Sequence, residues 1–308
     1  MGKRQKEQYT ITVNASDIVI TSPDKPVWPE KGIAKLEYLH YLSFIAPYIL
    51  PFLKERTLTV IRYPHGVQGE RFYQKNCPEY APTFVETFLE EDIHYCICSN
   101  LETLLWLGNQ LALEMHIPFR RTRTSFPSEI VMDLDPPSRS DFGLAVEASL
   151  IIKEVCDSLR LVPYVKTSGN KGMQVYIPIP DHSFTFVEAR MFTSFLADYL
   201  INKEPDYFTT ERLKKKRGQK CYIDFIQHAE GKTIIAPYSA RGNSDALVAT
   251  PVYWHEVNSS LRPELFTVDS LKTRIKSKGD PFSSFWETKT TQPFQHVLHV
   301  LKERRHLQ

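Results

Sequence analysis

The chain has 308 residues, of which 42% are hydrophobic and 12% aromatic, so it can bury a substantial core and is not an intrinsically disordered polymer. Its 38 Lys and Arg against 36 Asp and Glu give a formal charge of +2, which excludes a polycation and leaves local basic patches to meet any acidic partner. Five cysteines do not make the dense, even framework of a small secreted protein, and no apolar stretch suits a signal peptide or membrane span. We therefore expect a soluble protein of the cytoplasm.

Apolar residues recur at helical spacing in four segments, and short runs rich in Val, Ile, Tyr and Phe lie between them. The predicted helices are 35–50, 101–115, 144–159 and 187–200. The predicted strands are 58–62, 129–135, 174–179, 222–226 and 233–236. This mixture indicates an α+β or α/β fold. We expect one catalytic unit with an N-terminal lobe at about 1–125, a catalytic sheet region at about 126–290 and a basic tail at 291–308.

The segment SEIVMDLDPP, residues 128–137, carries two acids at the end of an apolar strand. The two-residue period of a strand places Asp133 and Asp135 on one face, and Met132 and Leu134 on the other. Two partly buried carboxylates repel unless they share a proton or a cation, and hard cations such as Mg²⁺ and Mn²⁺ prefer carboxylate oxygen. A divalent metal site is one interpretation; an exposed strand end or a turn cap is the other.

A third acid, Asp224, lies in the apolar segment CYIDFI, residues 221–226. Three such acids could hold two metals for phosphoryl or nucleotidyl transfer. Taken singly, Asp224 could equally be a turn or ion-pair residue.

Two further segments suit phosphate. In VKTSGNKGMQVYIP, residues 165–178, two glycines let backbone N–H groups approach an anion, while Lys171 adds charge and Ser168 a donor. In APYSARG, residues 236–242, Arg241 could bind phosphate in a bidentate manner. The alternatives are an ordinary glycine-containing hairpin and a surface arginine.

Basic residues interleaved with aromatic rings favour a nucleic-acid partner. One group surrounds Lys25 and Lys35, a second is ERFYQK at 70–75, and a third is LKKKRGQK at 213–220. Solvated lysines and core rings are the alternative. His116 follows the predicted 101–115 helix, where it could contact a phosphate or an incoming nucleotide, or simply cap the helix.

Taken in order, seven motifs resemble the polymerase domain of bacterial ligase D, in the archaeo-eukaryotic primase superfamily, over most of the chain. The motifs are DKPVWP (24–29) with Lys35, RYPHGV (62–67) with FYQK (72–75), EMHIP (114–118), MDLDP (132–136), TSGNKG (167–172), IDF (223–225) and APYSAR (236–241). The resemblance implies an α+β, primase-like catalytic core with mixed and antiparallel sheets flanked by helices.

The resemblance also implies a DNA-end repair polymerase of non-homologous end joining. It would add ribo- or deoxyribonucleotides to a 3′-hydroxyl at gaps and breaks with a 5′-phosphate, using two Mn²⁺ or Mg²⁺ ions on Asp133, Asp135 and Asp224. A Ku-like end-binding protein and a DNA ligase, in the same or a separate chain, would be its partners.

Roles for further residues follow from the same resemblance. Contacts to the incoming nucleotide would come from His116, Ser168, Lys171, Gln174 and Arg241. Lys25 and Lys35 would bind the 5′-phosphate, while Phe72 and Tyr73 would stack at the template strand. Other expected DNA contacts are Arg62, Lys75, Lys214, Lys215, Lys216 and Arg217.

The sequence departs from the family pattern at Gln174, where histidine is usual. A neutral amide can donate a hydrogen bond but cannot become cationic, so we expect weaker triphosphate binding with the metal chemistry retained. Two other functions remain open: a non-catalytic module that bridges DNA ends, and a sugar-nucleotide transferase that uses the Asp-x-Asp pair. The sequence also leaves open a stand-alone polymerase or one domain of a larger ligase.

Overall fold

The computed structural model describes residues 8–306, which form seven α-helices and sixteen mostly short strands. The helices are α1 (Lys35–Leu53), α2 (Leu101–Asn109), α3 (Phe142–Ser158), α4 (Phe186–Lys203), α5 (Val268–Lys278), α6 (Phe285–Thr291) and α7 (Phe294–His306). The strands are β1 (Gln8–Val13), β2 (Ser16–Thr21), β3 (Pro26–Trp28), β4 (Ile33–Ala34), β5 (Thr59–Arg62), β6 (Phe72–Gln74), β7 (Glu86–Glu90), β8 (Ile93–Ile97), β9 (Ala112–Pro118), β10 (Glu129–Asp135), β11 (Tyr164–Thr167), β12 (Met173–Pro178), β13 (Phe208–Thr209), β14 (Cys221–Asp224), β15 (Thr233–Ile235) and β16 (Pro251–Val252). Residues 1–7 and 307–308, the outer ends of the expected N-terminal lobe and basic tail, lie outside the described residues.

These residues separate into two compact units. The first runs to Ile117 and adds Ile234–Ala249 and Phe266–Lys278, and the second comprises Pro118–Thr233, Thr250–Leu265 and the residues from Gly279 onward. The chain therefore leaves the first unit and returns to it twice.

The first unit is built on a four-stranded sheet with the order β15-β9-β5-β6, in which β5 is antiparallel to both β6 and β9. Helix α1 packs against α2 and α5 and buries Leu39, Ile45 and Ile49, as its apolar period predicts. The two helices α1 and α2 approach closely at Gly108, where a Cβ atom would lie 2.3 Å from Leu42 Cδ1. Strand β6 is left at the edge of this sheet.

The second unit is built on a six-stranded sheet with the order β13-β14-β10-β12-β11-β16. Its pairs are antiparallel except for β13 with β14. Helix α3 covers one face, where the hydroxyl of Ser149 lies 3.7 Å from Met173 Sδ, and Met173 stands opposite Leu134. Side chains of the alternate residues, Asp133 among them, therefore project from the other face. This architecture confirms the predicted α+β class with mixed and antiparallel sheets.

The four predicted helices are present, but one ends earlier than its sequence pattern suggests. Helix α2 ends at Asn109, Leu111 adopts φ 57°, and the chain then enters β9. The prediction that His116 follows a helix is therefore wrong, because it lies within a strand. All residues of β9 except His116 are buried, and a fully buried strand shows no alternation that separates it from a helix.

Within residues 8–306, no helix combines the length and apolar character that crossing a membrane requires. The five cysteines are free thiols, and four of them are buried. Cys96 lies in β8 and Cys98 directly after it.

Candidate functional site

Three acids of the second unit project from the same face of its sheet. Asp133 on β10 is directly opposite Asp224 on β14 and, on its other side, Gln174 on β12. Directly opposed residues share a face, and Asp135 lies two residues beyond Asp133, so all three carboxylates are on that face. The intervening Leu134 is fully buried on the opposite face. The strand register, which the sequence does not reveal, brings Asp224 to the Asp-x-Asp pair.

Two of these acids lie in surroundings that disfavour their ionised form. Burial raises the pKa of Asp133 to about 6, and the negative charges of Asp224 and Asp135 act in the same direction, while the hydrogen bond from Gln174 opposes them. Burial also raises the pKa of Asp224, against the hydrogen bonds it accepts from Tyr222 and from the backbone of Gln227. Additional positive charge at this face would favour both carboxylates in their ionised form.

Gln174 completes the row of side chains across the sheet. Its amide Nε2 donates to Asp133 Oδ1 at 2.9 Å. Its carbonyl Oε1 is buried and, among the described residues, has no hydrogen-bond partner. Beyond it on β11 lies Lys166, which is fully buried and whose charge lowers the pKa of Asp133. The row therefore contains a cation, an amide and two carboxylates in that order.

Asp135 differs from the other two acids because two cationic side chains of the protein balance its charge. Lys171 Nζ lies 3.0 Å from one of its oxygens and Arg217 Nη1 lies 3.3 Å from the other. The Arg217 guanidinium also lies 3.7 Å from the centre of the Tyr222 ring, whose hydroxyl donates to Asp224 Oδ1 at 3.1 Å. Arg217, expected as a DNA contact, thus turns toward the acids and connects two of them.

These residues are chemically suited to a divalent cation. Within residues 8–306, no three His, Cys, Asp or Glu side chains are gathered around a single ion position. Asp135 is paired with Lys171 and Arg217. The donor set of carboxylates and one amide oxygen is nevertheless the hard oxygen set that Mg²⁺ and Mn²⁺ prefer. The raised pKa values of Asp133 and Asp224 and the unpartnered Gln174 Oε1 are features that a cation would relieve. The residues therefore fit such an ion.

The glycine-containing segment forms the connection of the β11–β12 hairpin, residues 168–172. Ser168 Oγ accepts hydrogen bonds from the N–H groups of Asn170 at 3.3 Å and Gly172 at 3.1 Å. A Cβ atom on Gly172 would lie 2.2 Å from the carbonyl oxygen of Leu134, so only glycine permits this approach of the loop to β10. Lys171 Nζ also donates to the carbonyl of Pro136 at 2.6 Å. The loop is thus fastened to the end of the acidic strand.

A second polar cluster lies in the first unit and centres on Glu114, a carboxylate whose side chain is only 5% exposed. Arg241 Nη1 lies 3.0 Å and His116 Nε2 lies 3.2 Å from Glu114 Oε2. The other oxygen accepts from the Tyr63 hydroxyl at 2.9 Å and the Gly242 N–H at 3.0 Å. Although burial acts to raise its pKa, the His116 hydrogen bond and the Arg241 charge lower it to about 2. Two expected nucleotide contacts are therefore held by one buried anion.

Glu114 is a functional candidate that the sequence pattern does not indicate. In a strand, the alternation Glu114-x-His116 places both side chains on one face. The hydrophobic period of residues 101–115 predicts a helix instead, in which residues two apart do not share a face.

The predicted DNA contacts differ in exposure. The N–H of Lys35 donates to the carbonyl of Lys25 at 2.9 Å, so the two are neighbours in the first unit. Lys35 is only 4% exposed, and its Nζ donates to the carbonyl of Thr21 at 2.5 Å and to Asn109 Oδ1 at 3.3 Å. A phosphate bound by Lys35 would have to compete with these acceptors. The residues with exposed side chains are Phe72, Tyr73, Lys75, Lys214, Lys215 and Lys216.

Comparison with known proteins gives a consistent set of similarities. Residues 34–282 match the family model described as LigD, primase-polymerase domain. The chain is 50% identical over 284 residues to the bifunctional non-homologous end joining protein LigD of Bacillus subtilis, covering 92% of this chain and 46% of that protein. It is 31% identical over 270 residues to the multifunctional LigD of Mycolicibacterium smegmatis, covering 85% of this chain and 35% of that protein.

A similar solved structure is the polymerase domain of Mycobacterium tuberculosis ligase D in complex with DNA. The TM-score is 0.78 at 27% sequence identity, and the match covers 93% of this chain and 100% of that chain. The chain spans half or less of the length of the two curated relatives, whereas it matches the whole of this solved domain.

Proposed function

The chain belongs to the LigD primase-polymerase domain family, and from this premise we propose that it is a DNA-end repair polymerase of non-homologous end joining. It adds ribo- or deoxyribonucleotides to a 3′-hydroxyl at gaps and breaks that carry a 5′-phosphate. The observation that carries the proposal is the strand register that sets Asp133 opposite Asp224, with Asp135 on the same face.

In this proposal Asp133, Asp135 and Asp224 hold two Mn²⁺ or Mg²⁺ ions. When bound, such ions lower the pKa of a hydroxyl nucleophile and neutralise the charge of a transferring phosphoryl group. The chain's residues have separate tasks around them. Gln174 orients the Asp133 carboxylate through its 2.9 Å hydrogen bond. Lys171, which pairs with Asp135 at 3.0 Å, contacts a triphosphate anion beside the acids in exchange for part of its present contacts.

The remaining expected roles are part of the same proposal. Ser168 and Lys171 contact nucleotide phosphate, and His116 and Arg241 are the other residues expected to contact a nucleotide. Exposed cations and rings bind the DNA. A Ku-like protein and a DNA ligase act with this polymerase, in a cytoplasmic, nucleoid-associated setting that suits its substrate.

The test is extension of a labelled primer on a gapped duplex with a downstream 5′-phosphate, with Mn²⁺ or Mg²⁺ and with NTPs or dNTPs. We expect template-directed addition that is lost in Asp133→Ala and Asp224→Ala and weakened when the 5′-phosphate is omitted. Asp206→Ala is the matched control, because Asp206 is an exposed aspartate of the same unit and should leave extension unchanged. Wild-type extension by Asp133→Ala would overturn the site assignment.

The same assay separates the polymerase from the two other interpretations of the sequence. Tight binding to 5′-phosphorylated ends without addition under any condition would indicate an end-bridging module. Failure to bind DNA, together with transfer from a sugar nucleotide, would indicate a glycosyl transferase. The hydrogen bond from Gln174 to Asp133 favours the polymerase over the bridging module. Glutamine stands where histidine is usual, and this bond gives it a role in orienting an acid of the site.

A further inference from the structure

Three large aromatic side chains of the first unit are exposed within a span of nine residues. Phe72 is 42% exposed, Tyr73 is 68% exposed and Tyr80 is 62% exposed. The first two lie on the edge strand β6, and Tyr80 lies in the loop that follows it. Grouped exposed rings on a protein surface indicate an interaction site more often than isolated ones do. The resemblance assigns a role to Phe72 and Tyr73, and none to Tyr80.

Arg62 connects Tyr80 to Phe72. The Arg62 guanidinium lies 5.3 Å from the centre of the Phe72 ring, and its Nη1 donates to the Tyr80 hydroxyl at 3.2 Å. Three of its other four N–H groups are engaged too: Nη1 with Gln74 Oε1 at 2.9 Å, Nε with the Gln110 carbonyl at 2.9 Å, and Nη2 with Gln110 Oε1 at 3.1 Å. In this arrangement Arg62, expected as a DNA contact, also positions the rings of Phe72 and Tyr80.

The hydroxyl of Tyr80 is fixed on both sides. It accepts the hydrogen bond from Arg62 and donates to Gln110 Oε1 at 3.3 Å. Most of the Tyr80 side chain nevertheless remains accessible, at 62% exposure. A ring that is anchored at its polar tip and exposed elsewhere loses little conformational entropy when another flat group stacks on it.

We propose that Tyr80 is a further stacking contact for unpaired nucleobases, on the surface that it shares with Phe72 through Arg62. The inference rests on the proposed function, since it names part of the DNA-binding surface of that polymerase. Every base has a π-face, so such a surface binds single-stranded template without regard to sequence. The nearby charges suit a polyanion: Arg62, Arg71 and Lys75 outnumber Glu70 and Glu79.

The test measures the affinity of the full chain for two labelled DNAs by fluorescence anisotropy. One is a primer–template with a gap of four unpaired template nucleotides and a downstream 5′-phosphate, and the other is a blunt duplex. We expect Tyr80→Ala to weaken binding of the gapped DNA by about 5-fold or more, as loss of one base–aromatic stack does, and to leave the blunt duplex unchanged. Tyr80→Phe keeps the ring and should stay within about 2-fold of the wild type.

Two controls make the result decisive. Tyr199→Ala removes a tyrosine of 41% exposure from the second unit and should not change either affinity. A 2-aminopurine placed in the gap should be quenched by the wild type and less quenched by Tyr80→Ala, which reports stacking independently of affinity.

The outcomes separate this inference from the function it rests on. Wild-type affinity and quenching in Tyr80→Ala, with loss of binding in Phe72→Ala, would overturn the role of Tyr80 and leave the polymerase proposal intact. Equal weakening by Tyr80→Phe and Tyr80→Ala would also overturn it, because the hydroxyl network rather than the ring would then be responsible. Absence of gapped-DNA binding by the wild type would overturn both proposals.

Discussion

The side-chain amide of Gln174 donates a 2.9 Å hydrogen bond to Asp133 Oδ1 across two adjacent strands. This contact fixes the orientation of one acid of the proposed metal site. Groups that orient a metal ligand typically contribute about 10–100-fold to metal affinity or activity.

The first prediction follows from that contact. Gln174→Leu keeps most of the buried volume but removes the donor, so we expect primer extension to fall by about 10–100-fold and the Mn²⁺ concentration for half-maximal activity to rise. Gln68→Leu, at an exposed glutamine of the first unit, is the control. Undiminished extension by Gln174→Leu at limiting Mn²⁺ would show that the hydrogen bond has no role in catalysis.

The second prediction concerns the cost of keeping Asp133 ionised. Burial raises its pKa to about 6 from 3.8, so the folded protein holds this proton more tightly than the unfolded chain. As pH rises from about 4 to 6, Asp133 ionises in the unfolded chain before it ionises in the folded protein, so the free energy of unfolding falls. Above pH 6 this loss of stability is complete. Asp133→Asn removes that cost.

We therefore expect Asp133→Asn to abolish extension and to raise the free energy of unfolding at pH 7.5 by about 1–2 kcal/mol. This value is lower than the full pKa difference implies, because the Asp133 side chain is partly accessible to water. The gain should fall to nearly zero at pH 3, where both states are mostly protonated. Urea unfolding of the metal-free protein at the two pH values measures it. Loss of both activity and stability at pH 7.5 would instead assign Asp133 a structural role.

Sequence patterns predict much of this molecule for identifiable reasons. The period of α1 and the apolar approach to Asp133 and Asp135 are local features, because they depend on residues within one helix or strand. The opposed pair Asp133 and Asp224 depends on strand register across 91 positions of sequence, which no local pattern specifies. The acids by themselves only allow a shared metal site, and the order of motifs that resembles a family is what favours bringing Asp224 to the other two.

The sequence pattern predicts the end of α2 too late in the chain for a different reason. Leu104, Leu107 and Leu111 keep helical spacing across Gly108, Asn109 and Gln110, so the hydrophobic period does not mark the change from helix to strand. The change occurs at Leu111, which has a positive φ although it is neither glycine nor asparagine, the residues usual in that conformation. With the strand recognised, Glu114 and His116 fall on one face and the first-unit cluster becomes apparent.

The third prediction concerns that cluster. Glu114 accepts hydrogen bonds from the Tyr63 hydroxyl and the Gly242 N–H, and it pairs with Arg241 and His116. Its pKa is lowered to about 2. A carboxylate with a lowered pKa stabilises the fold above its ordinary value near 4.5, and this contribution is lost as pH falls toward 2. Removing one partner of a buried ion pair leaves the other without compensation.

We expect Glu114→Gln to lower the free energy of unfolding by about 2–4 kcal/mol at pH 7, with a smaller difference at pH 3. The Michaelis constant for the nucleotide should rise as well, because His116 and Arg241 lose the anion that positions them. Glu79→Gln, at an exposed site of the same unit, is the control. An unchanged unfolding midpoint at pH 7 would contradict the importance of the cluster.

The fourth prediction concerns His228, a fully buried histidine of the second unit. Its ring packs against Phe119 at 4.6 Å and Phe186 at 5.6 Å between centroids, and neither ring nitrogen has a hydrogen-bond partner among the described residues. Burial lowers its pKa to about 3 from 6.5, and the charge of Arg190 acts in the same direction. The side chain is therefore neutral in the folded protein.

The sign of the pH effect follows from that difference. Below pH 6.5 the unfolded chain takes up a proton that the folded protein refuses, so stability falls as pH decreases from about 6.5 to 3. At pH 5 the loss from this residue alone is about 2 kcal/mol, since one pKa unit corresponds to about 1.4 kcal/mol. His228→Leu should remove this loss, so the difference in unfolding free energy between pH 7.5 and pH 5 should shrink by about 2 kcal/mol. His94→Leu, at an exposed histidine, should leave the difference as in the wild type. If His228→Leu kept the full wild-type pH dependence in urea unfolding, other groups would have to account for the acid sensitivity.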